Sequence, residues 1–69
     1  MTGNVKWFDS AKGYGFVTPD AGGVDIFLHV SQLTEGIENL LRPGTRVEFE
    51  EVPSRRKGGT FEAARVRVI

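Results

Sequence analysis

Apolar and polar residues alternate along this chain in short segments that are separated by turn-forming residues. Between residues 46 and 50, Val47 and Phe49 alternate with charged side chains, which is typical of a strand with one buried face. Clusters rich in Asp, Ser, Gly and Pro lie at 9–13, 19–23, 42–45 and 53–59. The pattern predicts five short β-strands, at Gly3–Asp9, Tyr14–Thr18, Val24–Val30, Arg46–Val52 and Thr60–Val68.

A closed barrel is the architecture that best suits so many strands in so short a chain. The 69 residues are too few for two well-filled sheets, whereas a barrel removes exposed edges and encloses one core. We therefore predict one all-β domain, residues 1–69, folded as a five-stranded antiparallel barrel. Alternation assigns these side chains to its interior: Val5, Val17, Ile26, Leu28, Val47, Phe49, Ala64 and Val66. In the fifth strand it separates Ala64, Val66 and Val68 from Phe61, Arg65 and Arg67.

The segment Ser31–Leu41 is the only helical candidate. Thr34 is a possible cap, and Gly36 weakens any long helix. We expect one helical turn within a long loop that covers one end of the barrel. Four apolar residues recur there at helical spacing: Leu33, Ile37, Leu40 and Leu41.

The composition is that of a globular protein, with 39% hydrophobic and 26% charged residues. No apolar run approaches the roughly 20 residues of a membrane helix, and the first residues do not resemble a signal peptide. The chain contains no cysteine, which excludes disulfides and thiolate metal sites. We therefore expect a cytoplasmic protein without a membrane segment, a metal or a cofactor.

The formal net charge of zero conceals an uneven distribution of charge along the chain. Residues 1–30 have a balance of −1, residues 31–51 of −3 and residues 52–69 of +4. A polyanion is therefore expected to meet Lys6, Lys12 and the C-terminal arginines rather than the glutamates at 48–51. Overall neutrality argues against a nucleic-acid ligand, but stacking supplies affinity where phosphate contacts are few.

Flat rings share one face of the second and third predicted strands. Alternation places Tyr14 and Phe16 together, and it places Phe27 and His29 with Asp25. The opposite faces are aliphatic. Rings on an open sheet face, flanked by lysines, suit stacking against nucleobases.

Residues 12–17, with the sequence Lys-Gly-Tyr-Gly-Phe-Val, contain two glycines that require a physical reason. Without side chains at Gly13 and Gly15, the adjacent rings are able to lie flat and the chain is able to bend. The third glycine and following helix of a dinucleotide motif are missing, as is the lysine of a phosphate loop. A glycine-rich strand at a barrel bend explains this segment equally well when it is taken alone.

The chain resembles the cold-shock domain family when residues 12–17 are considered together with residues 24–30, which have the sequence Val-Asp-Ile-Phe-Leu-His-Val. That family has two ribonucleoprotein motifs, Lys-Gly-Tyr/Phe-Gly-Phe-Ile/Val and Val-Phe-Val-His-Phe, on adjacent strands of a five-stranded oligonucleotide-binding barrel. The resemblance extends upstream through Gly3-x-Val5-Lys6-Trp7-Phe8 and downstream through Ala64-x-Val66, so that it covers essentially the whole chain.

The resemblance implies a monomeric, non-enzymatic protein that binds single-stranded RNA or DNA and acts as an RNA chaperone in transcription termination and translation. The implied base-stacking residues are Trp7, Phe16, Phe27 and His29, with Phe8 and Tyr14 as added apolar surface and Lys6 and Lys12 beside the strand. Phe61 and Arg65 complete the expected site. Phe61 either extends the contact face or covers the barrel end.

Four positions depart from the family pattern. Asp9 replaces an asparagine, Val30 an aromatic residue and Ile37 a loop phenylalanine, while Thr60 stands in place of a proline. The two lost rings and the added charge predict weaker binding than in related proteins. They also motivate an alternative function, that of a protein-interaction barrel that has lost nucleic-acid binding.

Catalysis is the least supported class of function. His29 and Asp25 share a strand face, as a general base and its partner would, but no cysteine or carboxylate cluster accompanies them. The basic run Arg55-Arg56-Lys57 is either a solvated hairpin tip or a phosphate contact.

Overall fold

Five strands account for about half of the chain, and two short 3₁₀ helices lie between the third and the fourth. The computed structural model describes residues 1–34, 36–54 and 61–69. The strands are β1 (Thr2–Asp9), β2 (Tyr14–Pro19), β3 (Ile26–His29), β4 (Arg46–Pro53) and β5 (Phe61–Val68). The 3₁₀ helices are η1 (Val30–Gln32) and η2 (Ile37–Leu40). In the part of the chain described, no helix is long and apolar enough to cross a membrane.

The strands close into a barrel in the order β1-β2-β3-β5-β4, with β4 pairing back onto β1. The predicted all-β, five-stranded barrel is confirmed. One of its pairings is not antiparallel as predicted, because β3 and β5 run parallel. A parallel pair needs a long crossover, and here the chain from η1 through β4 supplies it.

The core is aliphatic except for one phenylalanine. It consists of Val5, Val17, Ile26, Leu28, Leu41, Val47, Phe49, Ala63 and Val66. All the predicted interior residues but one are in this set. Ala64 is the exception, since it is only half-buried while its neighbour Ala63 is fully buried.

A β-bulge in β5 causes this difference. Glu48 pairs with Arg67 and Glu50 pairs with Ala64, so that two steps along β4 correspond to three along β5. Arg65 lies at this point with a φ of +52°. The extra residue shifts the alternation, and the core-facing residues of β5 are therefore spaced by three rather than two.

The segment between β3 and β4 packs against the core through Leu33, Ile37 and Leu41, and it forms two 3₁₀ turns rather than the one helical turn predicted. Leu41 is buried there, whereas Leu40 is 55% exposed. Thr34 is not the N-cap residue of either 3₁₀ helix, and its hydroxyl donates to the carbonyl of Val66 at 2.9 Å. Gly36 occupies the N-cap of η2 with a φ of +86°.

Candidate nucleic-acid interface

Five rings lie side by side on the outer face of β1, β2 and β3: Trp7, Tyr14, Phe16, Phe27 and His29. Strand register brings them together, since Trp7 pairs with Phe16, Phe16 with Phe27, and Tyr14 with His29. The ring centroids of neighbours are 5.5 Å apart for Trp7 and Phe16 and 6.3 Å apart for Phe27 and His29. We call this set the ring cluster. Its members on β2 and β3 share the faces that alternation predicts.

Phe27 is the centre of the ring cluster. It contacts Tyr14, Phe16 and His29, with centroid distances of 5.9, 5.7 and 6.3 Å. Its side chain is only 8% exposed, whereas that of Trp7, at the edge of the cluster, is 38% exposed. Phe27 therefore supports its neighbours and offers little surface of its own.

A bulge in β1 presents Lys6 and Trp7 to the same side of the sheet. The register moves from Val5 opposite Val17 to Trp7 opposite Phe16, so that two residues of β1 face one of β2. Both Lys6 and Trp7 are consequently exposed although they are consecutive. Alternation alone cannot predict this arrangement.

Gly13 and Gly15 are required by the path of the backbone rather than by the rings. A Cβ atom on Gly15 would overlap the carbonyl oxygen of Trp7 and lie 2.7 Å from the Cα of Phe8. Gly13 has a φ of +80°, which favours glycine, at the end of the β1–β2 turn. Close approach of β1 to β2, rather than exposure of the rings, therefore requires Gly15.

Asp9 stabilises the turn between β1 and β2. Its carboxylate accepts hydrogen bonds from the backbone N–H groups of Ala11 (2.9 Å) and Lys12 (3.0 Å). Its carbonyl accepts from the N–H of Gly13 at 2.7 Å. The Asp9 carboxylate is thus engaged in an Asx-type turn, and the exposed side chain of Lys12 extends from that turn.

Lys6 is paired before any ligand binds. Its ammonium group lies 2.8 Å from the carboxylate of Asp25, which also accepts from the hydroxyl of Thr18 at 3.2 Å. The hydrogen bond from Lys6 is the main reason why the pKa of Asp25 lies below its ordinary value. Asp25 is therefore a counter-ion for Lys6 rather than a partner for His29.

His29 caps the helix that follows it. Its Nδ1 atom lies 3.1 Å from the backbone nitrogen of Ser31, which donates to it, and 2.9 Å from the Ser31 hydroxyl. Because β3 ends at His29, Val30 begins η1 and is 39% exposed. Strict alternation along β3, which would group Val30 with the buried Ile26 and Leu28, therefore does not extend to this residue. Its N–H donates to the carbonyl of Gly13 at 2.9 Å, which joins η1 to the β1–β2 turn.

Besides Lys6 and Lys12, three expected site residues lie outside the ring cluster. Phe8 is half-buried against the hydrophobic core. Phe61 begins β5 and is 42% exposed, and it pairs with Pro53 across the sheet. Arg65 lies at the bulge of β5, where its guanidinium is 3.2 Å from the carboxylate of Glu50. Ile37 packs against the core, which explains why an aliphatic side chain suits that position.

The acidic and basic parts of the sequence are not separate in space. β4 and β5 are neighbours, and Arg65 and Arg67 form ion pairs with Glu50 and Glu48. The prediction of a basic C-terminal surface apart from these glutamates is wrong for both arginines. The run Arg55-Arg56-Lys57 and the predicted strand start at Thr60 lie outside the described residues.

No cluster of potential metal ligands occurs within residues 1–34, 36–54 and 61–69. The carboxylates near the ring cluster have other partners: Asp25 binds Lys6 and Thr18, and Asp9 binds backbone N–H groups. The arrangement provides rings and a few donors, which suits binding by stacking and hydrogen bonding.

Comparison with known proteins agrees with this arrangement. Residues 1–69 match the family model described as the "Cold-shock" DNA-binding domain. The chain is 50% identical over 70 residues to a cold shock-like protein of Thermotoga maritima, covering 100% of this chain and 98% of that protein. It is also 50% identical over 50 residues to the cold shock-like protein CspE of Escherichia coli, covering 72% of each. Both the family model and these relatives show that this chain belongs to the cold-shock domain family.

Proposed function

We propose that this protein binds single-stranded RNA or DNA by stacking unpaired bases on the ring cluster. The observation that carries the proposal is the contiguity of the five rings on one outer face, with Trp7 at the open edge. Base–aromatic stacking contributes about 1–3 kcal/mol per base, and it tolerates different sequences because every base has a π-face. The description of the matching family as a DNA-binding domain supports the same class of ligand.

Phosphate contacts play the smaller part in this proposal. Lys6 is already paired with Asp25, and Arg65 and Arg67 are paired with glutamates of β4. Lys12 is the exposed cation of the β1–β2 turn. Rings on an open sheet face contact bases rather than sugars. We therefore expect the protein to discriminate only weakly between RNA and DNA, which differ in the 2′-hydroxyl.

Binding of this kind opposes nucleic-acid secondary structure without turnover or a cofactor. A ligand that prefers the unpaired strand destabilises the duplex only as far as its affinity for the two states differs. The protein would therefore act as an RNA chaperone, with effects on transcription and translation. We propose further that it acts as a monomer in the cytoplasm. These roles extend the proposal beyond the binding event itself.

Fluorescence of Trp7, the only tryptophan of the chain, tests the proposal. Titration with oligo(dT) or oligo(U) should quench the emission at micromolar strand, and the matched duplex should not. Leu40→Ala removes an apolar side chain that is 55% exposed on η2 and is the control that should bind normally. Unchanged emission, with no binding by anisotropy of a labelled strand, would instead favour a protein-interaction barrel.

A further inference from the structure

Hydrogen bonds from Ser31 select one tautomer of the His29 ring. The Ser31 hydroxyl, 2.9 Å from Nδ1, is able to donate or to accept, but the Ser31 backbone N–H, at 3.1 Å, can only donate. Nδ1 is therefore the acceptor and carries no proton. In a neutral imidazole the proton then resides on Nε2.

This leaves Nε2 as the ring atom that is available to a ligand. Nε2 lies across the ring from Nδ1, and no residue in the described ranges 1–34, 36–54 and 61–69 hydrogen-bonds to it. The ring is half-exposed and its centroid lies 6.3 Å from that of Phe27, so it is part of the ring cluster. A hydrogen-bond donor thus borders the surface on which bases are proposed to stack.

We propose that Ser31 is a positioning residue that makes His29 an Nε2–H donor to a base carbonyl oxygen. The base ligand in this inference rests on the proposed function, whereas the tautomer of His29 does not depend on it. When a base stacks beside His29, the edge of that base lies next to the Nε2–H donor, and the phosphate of the same nucleotide lies farther away. Thymine, uracil, cytosine and guanine carry an exocyclic carbonyl oxygen, whereas adenine does not. The arrangement therefore disfavours adenine at this one subsite.

The tautomer is testable in the free protein by ¹⁵N NMR of the histidine ring at pH 9, where free imidazole is neutral. We expect an unprotonated shift for Nδ1 and a protonated shift for Nε2. Ser31→Pro removes the amide donor in the first turn of η1, where proline is tolerated, and should mix the two tautomers. Ser31→Ala keeps the amide and should not. A wild-type spectrum with the proton on Nδ1, or an unchanged tautomer in folded Ser31→Pro, would overturn the assignment.

The donor is testable by chemical synthesis of the chain with Nε2-methylhistidine at position 29. This residue keeps the ring and the Nδ1 acceptor, so the cap of η1 is retained while the outward donor is lost. We expect affinity for oligo(dT) to fall about threefold to tenfold, the worth of one hydrogen bond. Unchanged affinity in the folded protein would contradict the role of His29 as a donor, whatever its tautomer.

A set of strands identifies the acceptor. In each, one thymine is replaced by difluorotoluene, which keeps the shape of the base but lacks its carbonyl oxygens. The loss caused by Nε2-methylhistidine should disappear on one strand of the set. A loss that persists on every strand would place the acceptor on the sugar–phosphate backbone and refute the base contact. If the wild-type protein does not bind oligo(dT) at all, the proposed function fails while the NMR result still decides the tautomer.

Discussion

Phe16 and Phe27 face each other across the β2–β3 pair, with ring centroids 5.7 Å apart and planes inclined by 72°. The two rings share a sheet face but differ in burial, since Phe16 is half-exposed and Phe27 is 8% exposed. One ring is therefore open to a ligand, while the other holds the cluster together. Removal of the Phe27 ring should therefore cost stability as well as affinity.

Phe16→Ala and Phe27→Leu should separate these two roles. Phe16→Ala should cost about 1–3 kcal/mol of oligo(dT) affinity with a small loss of stability. Phe27→Leu should lower the free energy of unfolding by about 1 kcal/mol or more, because it removes buried ring atoms. Urea unfolding and fluorescence titration of each variant measure the two quantities. Equal losses of stability in both variants would show that Phe16 is a packing residue as well.

Asp25→Asn should strengthen binding, because it removes the counter-ion that holds Lys6. In the wild-type protein, neutralisation of about two to four phosphates gives a slope of log affinity against log salt of roughly −1.4 to −2.8. Release of Lys6 should steepen this slope by about 0.7, the single-strand coefficient for one phosphate. Glu51→Gln, which removes the same charge from an exposed carboxylate of β4, is the matched control and should leave the slope unchanged. A wild-type slope steeper than about −5 would mean that phosphate contacts, not stacking, dominate.

Asp20 should make stability fall in acid. Hydrogen bonds from Arg46 and then Thr2 lower the pKa of Asp20 from 3.8 to about 2 in the folded protein. Between these values the unfolded chain binds more protons than the folded one, so this stabilisation is present above pH 4 and is lost as the pH falls toward 2. Asp20→Asn should flatten the curve of unfolding free energy against pH in that window. Glu51→Gln, which removes an exposed carboxylate of β4, is the control for the loss of one negative charge.

Arg65→Asn should stabilise the barrel. Arg65 has a φ of +52° at the bulge of β5, a conformation that asparagine adopts more readily than arginine. We expect a gain of up to about 1–2 kcal/mol, the cost of this conformation for most residues, since the exposed ion pair with Glu50 contributes little. Arg65→Ala loses the ion pair but keeps the strain, and is the control. Chemical denaturation decides the sign, and a less stable Arg65→Asn protein would show that the ion pair outweighs the strain.

Val30→Phe should tighten single-strand binding. Val30 is 39% exposed beside the last residue of the ring cluster, so an added ring would lie at the surface rather than in the core. A well-placed ring would add up to about 1–3 kcal/mol of affinity. The side chain of Val30 is close to Gly13, where a Cβ atom would lie 3.2 Å from its Cγ1. Lower thermal stability with unchanged affinity would instead mean that the larger ring displaces the β1–β2 turn.

Alternation, which depends on neighbours in the sequence alone, is sufficient to predict the number of strands. It also predicts most of the core and the faces of β2 and β3. Tyr14, Phe16 and Phe27 were assignable to the outer face because β2 and β3 are regular in this region. The family motifs added Trp7 and the implied ligand. Local pattern is sufficient wherever a strand pairs without a change of register.

Only the tertiary structure decided the positions at which the register changes or the chain leaves a strand. The bulge in β1 exposes Lys6 beside Trp7. The bulge in β5 places Ala63 in the core instead of the predicted Ala64. The end of β3 at His29 moves Val30 to the surface. Charge pairing likewise depends on which strands become neighbours, so a basic segment and an acidic one neutralise each other across β4 and β5. Contacts between residues distant in sequence determine these features, and no local period records them.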